Sequence, residues 1–453
     1  MRTTSPARRG VSLTLFLSLL LLASLPACAP GLGPRHRSLT RELPRESPIA
    51  ASASAVDLRL GSPVLSRHAL IRAVLERNPT VRSAEFAFRA ALSRYPQSTA
   101  LDDPQIAYGV APASFGSSTV NDAHKVELRQ HLPFPGKLRL RGAEALARAE
   151  AAKHDLASVR LELVAVASLL FDDYYYLTRA ISINAEHVAL LETFKAIATA
   201  RYEAGQGSQQ DPLQAESELA HLVHEGVVLR TRLSVVSQRI NTLLHRPPDY
   251  ELPEAPPSLT PLAVPVVESA GEVRPELQAA ASVIEAEEAS VAYAWREFLP
   301  DFTLVGAYNS LWQNDDLQPF VGLQLNVPLQ LGRRRAAVDE AEANLGRARA
   351  ELARISDELR FSVSKARSLL DEAEHVLTLY RDRLLPPASD RVRAARAGFE
   401  TGRNSFLVLI DAEQNLRTTS LGLERARAER SQARTELLRA LGVLSARAAE
   451  VSK

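Results

Sequence analysis

"ARYEAGQGSQQDPLQAESEL" occupies residues 200–219, and "AGFETGRNSFLVLIDAEQNL" occupies residues 397–416. Written one above the other without a gap, they share Ala200/Ala397, Glu203/Glu400, Gly205/Gly402, Ser208/Ser405, Ala215/Ala412, Glu216/Glu413 and Leu219/Leu416, with Tyr202 over Phe399. A glycine-centred turn leading into a helix is thus written twice. The register extends outward: Asn78-Pro79 falls on Arg274-Pro275, Pro104 on Pro300, and Gly136-Lys137 on Gly332-Arg333. Prolines and glycines hold backbone positions, so their shared register predicts one fold duplicated within the chain.

The first repeat is placed at 64–246 and the second at 273–442, with a C-terminal tail at 443–453. Between them, the seven prolines of Arg246–Pro265 predict an extended connector across 247–272. Each repeat reads in the same order. In the first, a helix broken near Asn78-Pro79 precedes short alternating runs at 104–112 and 124–132. A long helix follows at 138–204, then a turn at 205–209 and a helix at 211–245. The second repeat gives 273–298, 301–311, 319–328, 333–399 and 404–441, with Pro386-Pro387 expected to kink its long helix. Helices this long reach ~100 Å at 1.5 Å per residue, more than a compact globule accommodates. The shorter helices of each repeat sum to a similar length, so they are expected end to end along the long one.

The alternating runs point to a second environment. Ile106, Tyr108 and Val110 share one face; Val126, Leu128 and Leu132 oppose Lys125, Glu127, Arg129 and His131; Val321, Leu323, Leu325 and Val327 oppose Gly322, Gln324 and Asn326. One apolar and one polar face over about nine residues suits a membrane β-barrel strand, with Tyr108, Phe302 and Tyr308 as an aromatic girdle. A small soluble sheet packed on helices is the alternative from alternation alone. Four strands cannot close a barrel, and open edges in lipid leave backbone groups unpaired, so a barrel requires several copies of the chain. The fold class is therefore mainly α with a small β part.

The N-terminus speaks to compartment. Arg8 and Arg9 precede an apolar run from Val11 to Leu25, then "LPAC" at 25–28. That is a signal peptide over 1–27, resembling a lipoprotein signal with Cys28 lipidated. Ala29, rather than Asp, favours the outer membrane. Residues 28–63 read as an extended tether. A net charge of +1 draws the chain to no nucleic acid. The lone cysteine excludes an internal disulfide, and the lone methionine argues against a Met-rich copper relay.

Four features together resemble the TolC-like outer-membrane efflux proteins: the duplication; "NPTV" (78–81) and "RPEL" (274–277); "LPFPGKLRLRGAEA" (132–145) and "VPLQLGRRRAAVDEA" (327–341); and "YEAG…LQAE" with "FETG…LIDAE" at the turns. The resemblance implies a homotrimer with a 12-stranded outer-membrane β-barrel and an α-helical barrel in the periplasm. It also implies docking on a periplasmic adaptor protein bound to an inner-membrane pump of the RND type. "PFPGKLRLRG" looks most like the heavy-metal efflux branch. The chain is then a channel and no enzyme, with no cofactor; a non-channel periplasmic coiled-coil scaffold or adaptor lipoprotein is the alternative.

The family places a lumen-facing acid where Asp411 stands. Its usual second acid, three residues earlier, is Val408 here, while Asp211 occupies that place in the first repeat. The pore gate is thus expected to divide between Asp411 and Asp211, although Asp211 followed by Pro212 also suits a helix cap. Gly205, Gly207, Ser208, Gly402 and Ser405 are expected at the adaptor-contacting tips. His221 and His224 share a helix face, but the second repeat puts Thr418 and Leu421 there, so no metal site is assigned. Tyr174–Tyr176 read as packing aromatics. Lys137, Arg139 and Arg333–Arg335 read as either headgroup-contacting or solvated.

Overall fold

Helix formers and glycine stops set the architecture of the computed structural model, which describes residues 33–43, 63–119, 123–260, 262, 274–312 and 314–444. Ahead of the first repeat α1 spans Pro34–Glu42; along the repeat lie α2 Arg67–Arg77, α3 Pro79–Thr99, β1 Gln105–Val110, β2 His124–Leu132, α4 Lys137–Glu203 and α5 Gln210–Leu243. The second supplies α6 Pro275–Arg296, β3 Asp301–Asn309, β4 Pro319–Asn326, α7 Leu331–Leu379, α8 Leu385–Glu400 and α9 Phe406–Ala440. The expected strand and helix positions agree to within a few residues at each end.

Backbone detail repeats as well. Helix α4 ends on Gly205 at φ 68°, with Gln206 N–H bonded to Arg201 O at 2.8 Å. Helix α8 ends on Gly402 at φ 75°, with Arg403 N–H bonded to Gly398 O at 2.8 Å. Both are left-handed helix stops that satisfy the last carbonyls. The final helix of each repeat closes the same way, on Gly442 at φ 73° and on His245 at φ 52°. His245 accepts a backbone strain of about 1 kcal/mol that glycine avoids. Asn78, buried ahead of Pro79, accepts from Thr80 N–H at 2.9 Å and donates to Leu243 O at 3.0 Å. Its counterpart Arg274, ahead of Pro275, donates to Arg439 O. Each repeat therefore pins the start of its third or sixth helix to the end of its own last one.

The Pro386-Pro387 kink takes a specific form. Neither proline has an N–H for the helix ladder, and the strain is absorbed one turn upstream, where Tyr380–Leu384 widen into a π-turn and Leu385 N–H reaches Tyr380 O.

The four strands form one antiparallel sheet in the order β1-β2-β3-β4. Its central pairing, β2 with β3, joins the two repeats, with Val126 opposite Tyr308 and Leu132 opposite Phe302. The chain divides into two units. One comprises the described residues within 33–43, 87–152 and 280–350 and holds the sheet. Its helices pack Phe88, Leu92 and Tyr95 of α3 on Ala145, Leu146 and Ala149 of α4, and Ala294 of α6 on Val338 and Ala341 of α7. The other comprises 45–86, 153–279 and 351–453. Leu70, Ile71 and Val74 of α2 meet Val164 and Phe171 of α4 and Ile240 of α5 there. A second cluster joins Phe194 of α4, Leu222 of α5, Phe399 of α8 and Leu409 of α9.

The extended tether is corrected at α1. Composition suggested no helix there, but tertiary contacts hold one: Leu39 is buried, His36 stacks on Tyr95 at 4.8 Å, and Arg35 bonds Glu150 of α4 and, at 2.6 Å, Glu285 of α6. The connector forms no helix or strand in its described part, and its Glu254 backbone bonds Leu65 N–H at 2.7 Å. The signal peptide, Cys28 and residues 445–453 lie outside the described residues.

Candidate functional site

Register places the sheet's side chains on two unlike faces. On one, Ile106 lies beside Leu128, Tyr108 beside Val126, and Leu304 beside Leu323; Val321 and Leu325 extend it. This face is apolar and open: Ile106 is 73% exposed, Val321 66% and Leu323 61%. Such a patch in water is unfavourable and marks a membrane or partner surface. The opposite face carries Lys125, Glu127, Arg129 and His131 of β2, Asn309 of β3, and Gln324 and Asn326 of β4. Glu127 is buried beneath its two neighbours, paired with Arg129 and with Lys125 at 2.7 Å. Strands β1 and β4 each have one partner among the described residues, leaving both sheet edges open.

The corner beneath the sheet explains "LPFPGK". Gly136 is left-handed at φ 93°, and a Cβ there would lie 2.2 Å from the Arg296 guanidinium, which donates to Pro135 O at 2.7 Å. Phe134 N–H bonds Asp301 at 2.7 Å. The Lys137 ammonium, almost wholly buried, reaches Asp301 at 2.9 Å and Glu297 at 3.2 Å. Lys137 is therefore neither a headgroup contact nor a solvated lysine, contrary to both sequence readings; it ties β2's exit to β3's entry. Arg334 likewise donates to Glu297 O at 2.6 Å, while Arg333, Arg335 and Arg139 stay exposed.

The turns are built asymmetrically. Gln209 is the N-cap of α5 and makes no side-chain cap bond, Ser208 Oγ just ahead of it accepts from Gln210 N–H at 3.2 Å, and Asp211 sits inside the first turn rather than at the cap. There it faces the positive end of the helix dipole. Ser405 is the N-cap of α9 with extended backbone. Tyr202 is exposed, whereas its counterpart Phe399 is buried, 5.3 Å from Phe406 and under the Arg201 guanidinium at 4.7 Å. Arg201 also donates to Phe399 O and thus bolts α4 to the end of α8. Leu213, Leu407 and Val408 remain exposed beside the turns.

Asp411 is exposed on the second turn of α9 and pairs with Arg391 of α8. Nearly the same place in the first repeat carries Lys195 and Glu216 at 3.5 Å. Among the described residues Asp411 meets Arg391 rather than Asp211. Two further links cross between the repeats: His187 of α4 with Glu413 of α9, both buried, and Arg417 of α9 with Glu225 of α5. Sequence reasoning missed Arg391. Its signal was available only through hairpin register, since residues at comparable distances on either side of the Gly402 turn come face to face. His221 and His224 are exposed, and no group of three or more metal-ligating side chains forms among the described residues. Of the tyrosine run, Tyr175 is fully buried and donates to Glu424 at 2.9 Å; burial raises its hydroxyl and keeps it protonated. Among the described residues no helix is long and apolar enough to cross a membrane, which leaves the sheet as the apolar surface to explain.

Comparison with known proteins gives a consistent answer. The family model for the outer membrane efflux protein matches residues 70–244 and 266–443. The outer membrane efflux protein BepC of Brucella suis biovar 1 (strain 1330) is 23% identical over 291 residues, covering 60% of this chain. The alignment spans 62% of that relative's length. Among solved structures, CusC superposes with a TM-score of 0.72 at 18% identity, covering 83% of this chain and 92% of that one. The outer-membrane channel OprN gives 0.71 at 20%, covering 88% and 97%. The Neisseria gonorrhoeae MtrE outer membrane channel gives 0.70 at 19%, covering 84% and 89%. At these identities the structures establish a shared fold.

Proposed function

Because the chain belongs to the outer membrane efflux protein family, we propose that it is the outer-membrane channel of a tripartite efflux system. Three copies close twelve strands into a barrel, and their helices form the periplasmic conduit. One observation carries this: a four-stranded sheet with two open edges, an exposed apolar face and a charged face. Lipid covers the first face, the lumen wets the second, and neighbouring copies seal the edges, since unpaired backbone in lipid costs several kcal/mol per group. The tips around Gly205, Gly207, Ser208, Gly402 and Ser405, with exposed Leu213 and Leu407, dock a periplasmic adaptor that is itself bound to an RND-type inner-membrane pump.

Asp411 narrows the conduit as a ring of three Asp411–Arg391 pairs, with Asp211 as a secondary charge. The purified protein in planar bilayers is expected to conduct, and divalent cations to block it. Asp411→Ala strands Arg391 and is expected to weaken that block about tenfold or more, since a carboxylate ring is what holds such a cation. A conducting variant with unaltered block would refute the gate; a protein that never conducts and runs as a monomer without heating would refute the channel.

Cys28 is proposed to carry the lipid anchor; acyl labelling that persists in Cys28→Ser would remove it. Heavy-metal cargo rested on "PFPGKLRLRG" alone. Phe134, Gly136 and Lys137 of that stretch also serve the corner beneath the sheet; heavy-metal cations stay a proposed cargo on that resemblance alone.

A further inference from the structure

The lumenal face of the sheet holds a recess that the channel reading does not require. Its volume is about 390 Å³, within the range of small-molecule sites. Lys125 and Arg129 line it, as do Trp312 and Phe320, with Asn309 and Gln324 at its polar edge. The cations are unevenly balanced. Glu127 is the single carboxylate between them, and it meets Arg129 through Nε and Lys125 through Nζ. Both basic side chains are nearly half exposed while Glu127, which also lines the recess, is largely covered by them, so the recess presents more cation than acid. Elsewhere on this face His131 pairs with Asp102 at 2.9 Å and Asp301 is held by Lys137, and the β3–β4 loop that supplies Trp312 also carries Asp315 and Asp316 in sequence.

The aromatic side is also built. The Phe320 ring lies across Gly322, where a Cβ would come within 2.8 Å of it. Glycine at that position leaves room for the ring over β4, and Trp312, in the β3–β4 loop, also lines the recess.

We infer that this recess is a binding subsite for aromatic organic anions, with Lys125 and Arg129 holding the acid group and Trp312 and Phe320 the ring. Its lumenal placement rests on the channel reading; the recess itself lies within one chain. Guanidinium and ammonium groups form charge-assisted bonds to carboxylate or sulfonate, and flat rings supply stacking area at low entropic cost. The wall of the barrel thus favours amphiphilic anions over free cations.

The chain has two tryptophans, Trp295 and Trp312, so Trp295→Phe leaves Trp312 as the reporter. In detergent-solubilised full-length protein, 4-nitrobenzenesulfonate is expected to quench Trp312 saturably, and neutral 4-nitrobenzyl alcohol only collisionally. Lys125→Gln/Arg129→Gln is expected to weaken saturable quenching at least tenfold, and Glu127→Gln to strengthen it. Equal quenching by both probes, or an unchanged constant in the double variant, overturns the subsite. This readout needs no current, so loss of conductance alone would count against the channel reading and leave the subsite judged on its own binding constant.

Discussion

Leu323→Arg on β4 is expected to abolish assembly in the outer membrane, while Gln324→Arg, one residue along, leaves it largely intact. The two positions differ only in the face they occupy. Leu323 lies opposite Leu304 near the middle of the sheet and is 61% exposed on the apolar side. Gln324 lies opposite Thr303 on the side shared with Lys125 and Arg129. Arginine on the lipid face of a barrel costs about 2–4 kcal/mol at the bilayer midplane. Three symmetric copies multiply this to about 6–12 kcal/mol per trimer, comparable with the whole stability of a typical domain. Arginine on the lumenal face keeps its hydration. The check is outer-membrane fractionation with unheated gel migration: a heat-sensitive oligomer for Gln324→Arg and none for Leu323→Arg. Equal oligomer from both would mean that the apolar face does not meet lipid.

That contrast was legible before any coordinates, because strand alternation has a period of two and each face is readable residue by residue. The duplication was legible for a related reason: glycine and proline mark backbone states, and Gly205/Gly402 and Pro79/Pro275 mark the same states twice. What escaped was whatever depends on which elements meet. Lys137 looked like a solvated basic residue after a strand, yet it is buried against Asp301, more than 160 residues away. Helix α1 sits in a stretch whose prolines and serines suggest extension, and it forms because Arg35, His36 and Leu39 find partners on α3, α4 and α6. Asp211 looked like a cap because Pro212 follows it; the helix starts earlier, with Gln209 as N-cap and Ser208 accepting from Gln210 N–H, which places Asp211 within the first turn. Local chemistry decides turns and faces, whereas long-range ion pairs need the register between elements.

Such a pair governs the second large effect. Asp172→Ala is expected to destabilise the unit formed by 45–86, 153–279 and 351–453 by about 3–5 kcal/mol, the usual cost of stranding a buried charge. Asp172 on α4 has no exposed surface, and Arg67 at the start of α2 is buried against it. Arg67 reaches both carboxylate oxygens, one of them at 3.3 Å, and lies over the Phe171 ring at 4.7 Å. Ser431 of α9 donates to the same carboxylate at 3.0 Å and accepts from Arg67 at 3.1 Å. One network therefore ties the opening of the first repeat, its long helix and the last helix of the second. Removing the carboxylate leaves a buried guanidinium that cannot shed its proton and has lost its counter-charge. Arg67→Met/Asp172→Leu removes both charges and fills similar volume, so it should regain most of the loss. Denaturant midpoints or unfolding rates of the solubilised protein test the pair: a large drop for the single variant and recovery in the double. If the single variant unfolds like the parent, Arg67 has another buried partner and the network does not hold the repeats together. If the double variant falls as far as the single, the site contributes by its hydrogen-bond geometry to Ser431 and to the Ser168 carbonyl, which accepts from Arg67 at 3.4 Å, rather than by charge compensation.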